Sequence, residues 1–484
     1  MNPAVRRVGI VVVLLFVALG AQLTYLQVLR ADDLETHPGN IRVFLRDVRR
    51  DRGQILTSDG EIAARSELVD DEFEQQRTYP LGALTSHLVG YQSIVFGNVG
   101  VEATYNDELI GRDVELQLRN VSDFLSGSDP TGTVVLSLSK RAQELARDGL
   151  RGRRGSVVVL DVRSGAIVAA YSEPTFDPKP LTDHDLDRQR AYRFLLESNT
   201  SNPALARVWR ERYAPGSTFK IVTTAIALDA GVATPERDFP RLREISLPQT
   251  DRPLANFGGR ECGGTLAESF RVSCNTTFAR LGLDLGERLA EGIERFGLNT
   301  NPPDTDLNPR VVRSVGPERG SFELDQPSFA QAAIGQGQVA VTPLEMAMTT
   351  AAIANGGVMM VPHVAMEVRD PDGVVVRRIG RSEWRRAMTP STAATLTQLM
   401  RDVVERGTGT AAQIPGIPVA GKTGTAQAPP GAPHAWFVGF APADEPVYAI
   451  AVLVERGGDV GDEATGGRVA APIAAQVLGG LLGG

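Results

Sequence analysis

Cysteine is almost absent from this chain, with two in 484 residues. Two thiols cannot build a disulfide-rich scaffold or a four-thiolate zinc site. Histidine is nearly as scarce. The five (His37, His87, His184, His363, His434) lie far apart with no H-E-x-x-H spacing, which argues against a metalloenzyme. Net positive charge is lacking too: 50 Lys plus Arg against 58 Asp plus Glu give -8. A nucleic-acid partner is therefore not expected, because phosphate binding needs a basic surface. Hydrophobic residues at 42% and charged residues at 22% exclude a wholly disordered or collagen-like chain. At roughly 100–200 residues per domain, the length suggests two or three domains.

Lysine is the most informative scarcity. Of the 50 basic residues only four are lysines, Lys140, Lys179, Lys220 and Lys422. A chain that uses arginine wherever any positive charge serves keeps a lysine for some reason or by drift. One chemical reason is that an ammonium can lose its proton inside a protein and a guanidinium cannot.

One long apolar run is present. Val8 to Leu29 holds 22 residues without a charge. At 1.5 Å per residue such a helix spans the roughly 30 Å hydrocarbon core. Arg6 and Arg7 precede it and Arg30-Ala31-Asp32-Asp33 follows. The positive-inside rule then keeps residues 1–7 in the cytoplasm and sends everything after the helix across. A cleaved signal peptide is the alternative; against it, the run exceeds the usual 7–15-residue apolar core. The C-terminal Val469 to Leu482 is apolar but short and Gly-rich, and reads as a helix packed on a core.

Residues 31–150 read as a small, irregular, non-catalytic module. Gly53 to Ile62 suggests two short strands about Ser58-Asp59-Gly60, Ser126 to Gly132 a loop, and Val134 to Leu138 a strand. Ser139 then caps a helix through Leu150. The larger domain, 151–484, opens with a hairpin, Val157–Val162 and Ala166–Ala170. Helical patterns follow at Thr218–Ala230, Leu266–Leu283 and Thr342–Ala354. Two more hairpins are expected, Val364–Arg378 and Trp436–Ala441 with Val447–Val454. Strands at both ends with helices between them predict an α+β fold with an antiparallel sheet.

Three short motifs carry the chemistry. Ser217-Thr218-Phe219-Lys220 opens a helix after Tyr213-Ala214-Pro215-Gly216, and a three-residue step stacks Ser217 and Lys220 on one face. A neutral Lys220 could take the hydroxyl proton, and the helix start favours the resulting anion. Ser273-Cys274-Asn275 offers a second hydroxyl to relay protons and an amide to hold substrate. Lys422-Thr423-Gly424-Thr425 offers a cation for a carboxylate and a glycine that permits close approach of a substrate backbone. Another S-x-x-K, Ser137 to Lys140, lacks the Pro-Gly turn and ends a strand-like run. The order of the three, and two of the four lysines falling in them, carries the signal.

With these motifs the sequence resembles the penicillin-binding proteins, acyl-serine transferases that share the S-x-x-K, S-x-N and K-T-G set. Arg52-Gly53-Gln54-Ile55 with Asp59-Gly60, Gly335-Gln336-Gly337-Gln338 before Val341-Thr342-Pro343, and His434 to Phe440 look like further family segments. The resemblance runs from about residue 45 to the end. It points to class B members, and most to the penicillin-binding protein A subgroup of actinobacteria.

The resemblance implies a penicillin-binding transpeptidase fold and a peptidoglycan D,D-transpeptidase. Ser217 would attack a stem peptide, Lys220 would act as base and Ser273 would pass the proton on. Asn275 would hold the peptide amide, and Lys422, Thr423 and Thr425 would fix the terminal carboxylate. Backbone N–H groups of Ser217 and Thr425 would form the oxyanion hole. β-Lactam antibiotics would acylate Ser217. No metal or organic cofactor is implied; the cell membrane and a polytopic glycan-strand polymerase are the expected partners. A D,D-carboxypeptidase or serine β-lactamase is the alternative enzyme, and a β-lactam sensor or inactive scaffold the alternative class.

Other residues stay open. Cys262 and Cys274 can form a bridge or remain two buried thiols. Trp436 reads as a core aromatic with a groove-lining alternative, and His434 as a surface-loop histidine with a general-base alternative. The run Arg207 to Arg212 reads as a solvated face.

Overall fold

A computed structural model describes residues 3–30, 48–119 and 131–483. The expected 126–132 loop and the 31–33 flank therefore lie largely outside the described residues. The chain divides into two compact units: Met1–Asp51 with Leu68–Gln76, and Arg52–Glu67 with Arg77–Gly484.

The first unit holds α1 (Pro3–Thr24), which continues into a π-helical turn at Tyr25–Leu29. Val5–Leu29 has a mean hydropathy of 2.3 and none of it is buried. By length and composition it can cross a membrane.

The second unit begins with β1 (Ile55–Leu56) and all but the last residue of β2 (Ile62–Leu68), then β3 (Thr133–Leu136) and α2 (Lys140–Leu150). Ser139 caps α2, its Oγ accepting from Ala142 N at 3.2 Å. Next come β4 (Gly155–Asp161), β5 (Ile167–Glu173) and α3 (Lys220–Asp229). They are followed by β6 (Cys262–Thr265), α4 (Leu266–Val272), α5 (Asn275–Leu285) and α6 (Pro343–Ala354). The last elements are β7 (Ala365–Arg369), β8 (Val375–Arg378), α7 (Pro390–Arg406), β9 (Ala420–Ala426), β10 (His434–Ala441), β11 (Tyr448–Val454) and α8 (Ala471–Leu482).

Five strands make the main sheet, antiparallel throughout, in the order β9-β10-β11-β4-β5. Its inner strands β10, β11 and β4 are apolar at almost every position because both faces are covered. On one face Val157, Val159, Phe437, Ile450 and Val452 pack with Leu145, Ile473 and Val477. On the other, Val158, Leu160, Val438, Ala449 and Ala451 pack with Phe219, Ile221, Leu344 and Met348. Each fully buried aliphatic side chain contributes about 1.5–3 kcal/mol relative to exposure. The first chain segment in this sheet, β4, lies next to the last, β11, so closing the sheet brings the two ends of the larger domain together.

A second sheet draws on both sides of residue 150. β3 pairs in parallel with β1 and antiparallel with β7, and β7 pairs with β8. Below β1, Glu102 is wholly buried between two arginines, with Oε2 2.6 Å from Arg52 Nε and Oε1 2.6 Å from Arg77 Nε. A carboxylate so placed stays charged: burial raises its pKa, the two guanidiniums lower it, and the guanidiniums prevail.

The expected single helix over 266–283 is two helices. Ser273 takes a left-handed conformation (φ 63°) and separates α4 from α5. Such a conformation costs of order 1–3 kcal/mol and persists only where the surroundings hold it.

Candidate active site

The site is built where the start of α3, the α4–α5 junction and the edge strand β9 meet. Gly216–Phe219 forms a 3-10 turn leading into α3, so Ser217 lies on the turn and Lys220 opens the α-helix. The turn presses against β9. A side chain at Gly216 (φ 54°) would meet Thr425 O at 2.6 Å, and one at Gly424 would meet Pro215 O at 2.8 Å and Thr218 Cγ2 at 2.9 Å. The neighbour that Gly424 admits in this structure is thus the Gly216–Phe219 turn. Trp436, in the adjacent strand, fastens the same segment by donating from Nε1 to Ala214 O at 3.0 Å. It is fully buried, as a core aromatic should be.

Lys220 and Lys422 are both wholly buried. Lys220 Nζ donates to Ser273 O at 2.8 Å, Ser273 Oγ at 3.3 Å and Asn275 Oδ1 at 2.9 Å. Lys422 Nζ donates to Ser273 Oγ at 2.9 Å and Thr423 O at 3.1 Å. Each ammonium also faces an aromatic ring, Phe278 at 5.1 Å and Phe270 at 5.7 Å from the centroids. Burial, reinforced by the charge of Lys422, holds the Lys220 ammonium well below its usual range. Burial alone brings Lys422 down to about 7. Desolvation disfavours the charged form, and two cations in one dry pocket cannot both keep theirs cheaply.

The structure brings Lys220, Ser273, Asn275 and Lys422 into direct contact, with Ser217 half-buried on the turn beside them. The described hydrogen bonds of Lys220 go to Ser273 and Asn275 rather than to Ser217. Catalytic hydrogen bonds often tighten only when substrate is bound, so this geometry is compatible with the Ser217–Lys220 pairing expected from the motif. Thr423 is buried, and Thr425 half-buried, on the same strand.

Cys262 and Cys274 form a disulfide, their Cα atoms 5.8 Å apart. It ties β6 to the residue between Ser273 and Asn275. Asn256 adds to the hold, accepting from Thr276 N at 2.9 Å through Oδ1 and donating to Leu242 O at 2.8 Å. The discarded S-x-x-K has a structural account: Ser137 Oγ donates to Ile167 O at 2.8 Å, and Lys140 pairs with Glu61 at 2.9 Å.

Two expectations are overturned. His434 is not a loop residue: it opens β10, packs edge-on against Tyr213 at 5.4 Å, and accepts from Arg456 N through Nδ1 at 3.1 Å. Arg207 is not solvated either. It is fully buried, pairing with Glu455 at 2.8 Å, the carboxylate that also accepts from Tyr213 Oη at 2.8 Å. Glu455 thereby anchors the stretch leading to Ser217, a role no local motif announces.

Comparison with known proteins decides the family. The penicillin-binding protein transpeptidase domain matches residues 155–479, and the penicillin-binding protein A dimerisation domain matches 52–135. The chain belongs to the penicillin-binding protein transpeptidase family. It is 39% identical to the peptidoglycan D,D-transpeptidase PbpA of Mycolicibacterium smegmatis, over 100% of this chain and 99% of that one. Identity to the PbpA of Mycobacterium tuberculosis is 37%, over 99% and 98% of the two chains. Among solved structures, the ceftriaxone acyl-enzyme complex of M. tuberculosis penicillin-binding protein A superposes with a TM-score of 0.85 at 36% identity. That match covers 90% of this chain and all of the other. The α+β architecture read from the sequence is thus the penicillin-binding transpeptidase fold.

Proposed function

We propose that this chain is a penicillin-sensitive peptidoglycan D,D-transpeptidase of cell-wall synthesis, with Ser217 as its nucleophile. The observation that carries this is the convergence of two buried, pKa-lowered lysines on the hydroxyl of Ser273 beside the Ser217 turn. Ser217 Oγ attacks the carbonyl of the penultimate D-Ala, and Lys220, neutral, takes its proton. The N–H groups of Ser217 and Thr425 receive the oxyanion. Ser273 relays a proton to the departing D-Ala amine, so terminal D-Ala leaves and an acyl-serine remains. Asn275 holds the peptide amide. Lys422, Thr423 and Thr425 hold the terminal carboxylate, with Gly424 keeping their strand against the nucleophile turn. An amine of a neighbouring stem peptide then takes the acyl group, returning the proton to Ser217 and leaving a cross-link.

Residues 151–484 form the transpeptidase domain on this reading, and 31–150 a membrane-proximal pedestal or dimerisation-like module. Residues 8–29 anchor the chain, residues 1–7 stay in the cytoplasm and the catalytic unit lies outside. A protease added to intact spheroplasts should remove the catalytic domain; protection would reverse the topology. A polytopic glycan-strand polymerase is the partner, to be sought by in-membrane cross-linking from residues 8–29.

The decisive experiment has two arms. Ser217→Ala should fold yet lose covalent labelling by a fluorescent penicillin; a labelled mutant removes Ser217 as nucleophile. A donor peptide offered with and without an amine acceptor should give the cross-linked product when the amine is present. Free acid alone would mark a D,D-carboxypeptidase.

A further inference from the structure

Thr408 lies in the Gly407-Thr408-Gly409 turn that follows α7, and its side chain is exposed beside K-T-G strand β9. Its Oγ1 is 2.6 Å from Oγ1 of Thr423. The turn is tightly placed. Gly407 N and Gly409 N both donate to Val403 O, at 3.1 and 2.9 Å. A side chain at Gly407 would meet Arg271 O at 2.6 Å, two residues before Ser273, and one at Gly467 would meet Thr408 O at 2.4 Å. The turn thus lies between the strand that carries Lys422 and α4, the helix that ends just before Ser273.

A hydroxyl has one hydrogen and two lone pairs. For Thr423 to give its hydrogen to a carboxylate, its oxygen needs another donor to fix the rotor, and Thr408 is placed to be that donor. We propose that Thr408 is a positioning residue that aims the Thr423 O–H at the substrate's terminal carboxylate and so helps select peptides with a free C-terminus. This rests on the reading of Thr423 as a carboxylate anchor.

The test compares the full-length wild type with Thr408→Val, Thr408→Ser and Thr423→Val. Each is offered one D-Ala-D-Ala donor peptide as the free acid and as its C-terminal amide. Acyl-enzyme formation is followed by mass spectrometry, and the melting temperature is recorded. Thr408→Val should lower kcat/KM for the acid on the order of tenfold, mainly through KM, in line with weakening the Thr423 hydrogen bond to a charged carboxylate. The amide should change by less than about twofold, and Thr408→Ser should restore the preference. If Thr423→Val abolishes the acid preference and Thr408→Val leaves it intact, the proposal fails while the Thr423 reading stands. If Thr423→Val also leaves it intact, the Thr423 reading fails and the proposal with it. Equal losses on acid and amide, or no rescue by serine, would make Thr408 merely structural and overturn the proposal.

Discussion

Lys220 and Lys422 converge on a single oxygen, Ser273 Oγ, 3.3 Å from one Nζ and 2.9 Å from the other. Two lysines from motifs 202 positions apart (422 minus 220) share one proton acceptor inside a buried pocket. The charge of Lys422 disfavours charge on Lys220, and only one member can hold a full charge at modest cost.

Replacing Lys220 by arginine should nearly abolish acylation. Arginine fills 46 of the 50 basic positions (50 minus four lysines), so the chain tolerates it widely. On the proposed role a general base at 220 must be neutral part of the time, which a guanidinium cannot be. Loss of general-base help typically costs about 10²–10⁴-fold. Stopped-flow acylation with a β-lactam checks this. A change under about threefold in a folded mutant, well below that range, would make Lys220 a fixed charge only.

The pH dependence of acylation by the free enzyme should be bell-shaped. Protonation of Lys220, whose pKa burial and Lys422 depress, sets the acid limb. Deprotonation of Lys422, brought by burial to about 7, would set the alkaline limb by removing the partner proposed for the carboxylate. A bound carboxylate favours the ammonium, so the alkaline limb of kcat should lie at higher pH than that of kcat/KM. Lys422→Arg should lose the alkaline limb while keeping the acid one. An unchanged profile in that variant would move the assignment elsewhere.

Much of this was legible in the sequence, and what was not has identifiable causes. The three motifs and the hairpins at both ends follow from local pattern: a period of two, a cap residue, a turn dipeptide. Arg207 looked solvated because its partner Glu455 lies 248 residues away, and no local rule links a buried cation to so distant a carboxylate. The break at Ser273 went unseen because no glycine or proline marks it. The left-handed residue is a serine held by its surroundings, the bridge at Cys274 among them. The pairing of β7 with β3 joins segments more than 200 residues apart, a register that periodicity does not encode.

Removing the Cys262–Cys274 bridge should lower both stability and acylation. The bridge spans 12 residues, and closing a loop of about that size contributes roughly 2–4 kcal/mol in the chain-entropy account. It also restrains the turn in which Ser273 adopts its costly conformation. The Cys262→Ser/Cys274→Ser protein should melt several degrees lower. Its acylation rate should drop further than that of a variant equally destabilised at a remote core site. Equal drops in the two would limit the bridge to a stabilising role.

Glu345 provides the last test, on stability. It is 4% exposed at the start of α6, and its Oε1 has no hydrogen-bond partner among the described residues. Burial pushes its carboxyl up to about 8, with Arg385 opposing only partly. An acid whose folded pKa exceeds its unfolded value favours folding fully below the unfolded value. That advantage is lost as pH rises toward the folded one. Between about pH 4.5 and 8 the unfolded chain gives up this proton while the folded one keeps it. Stability should therefore fall by up to about 1.4 kcal/mol per pH unit from this group alone. Glu345→Gln cannot titrate, so its denaturant-derived stability should decline less steeply over that window. The mutant's advantage over wild type should grow with pH and level off above about 8. Parallel stability curves for the two proteins across the window would show that Glu345 is already ionised in the fold.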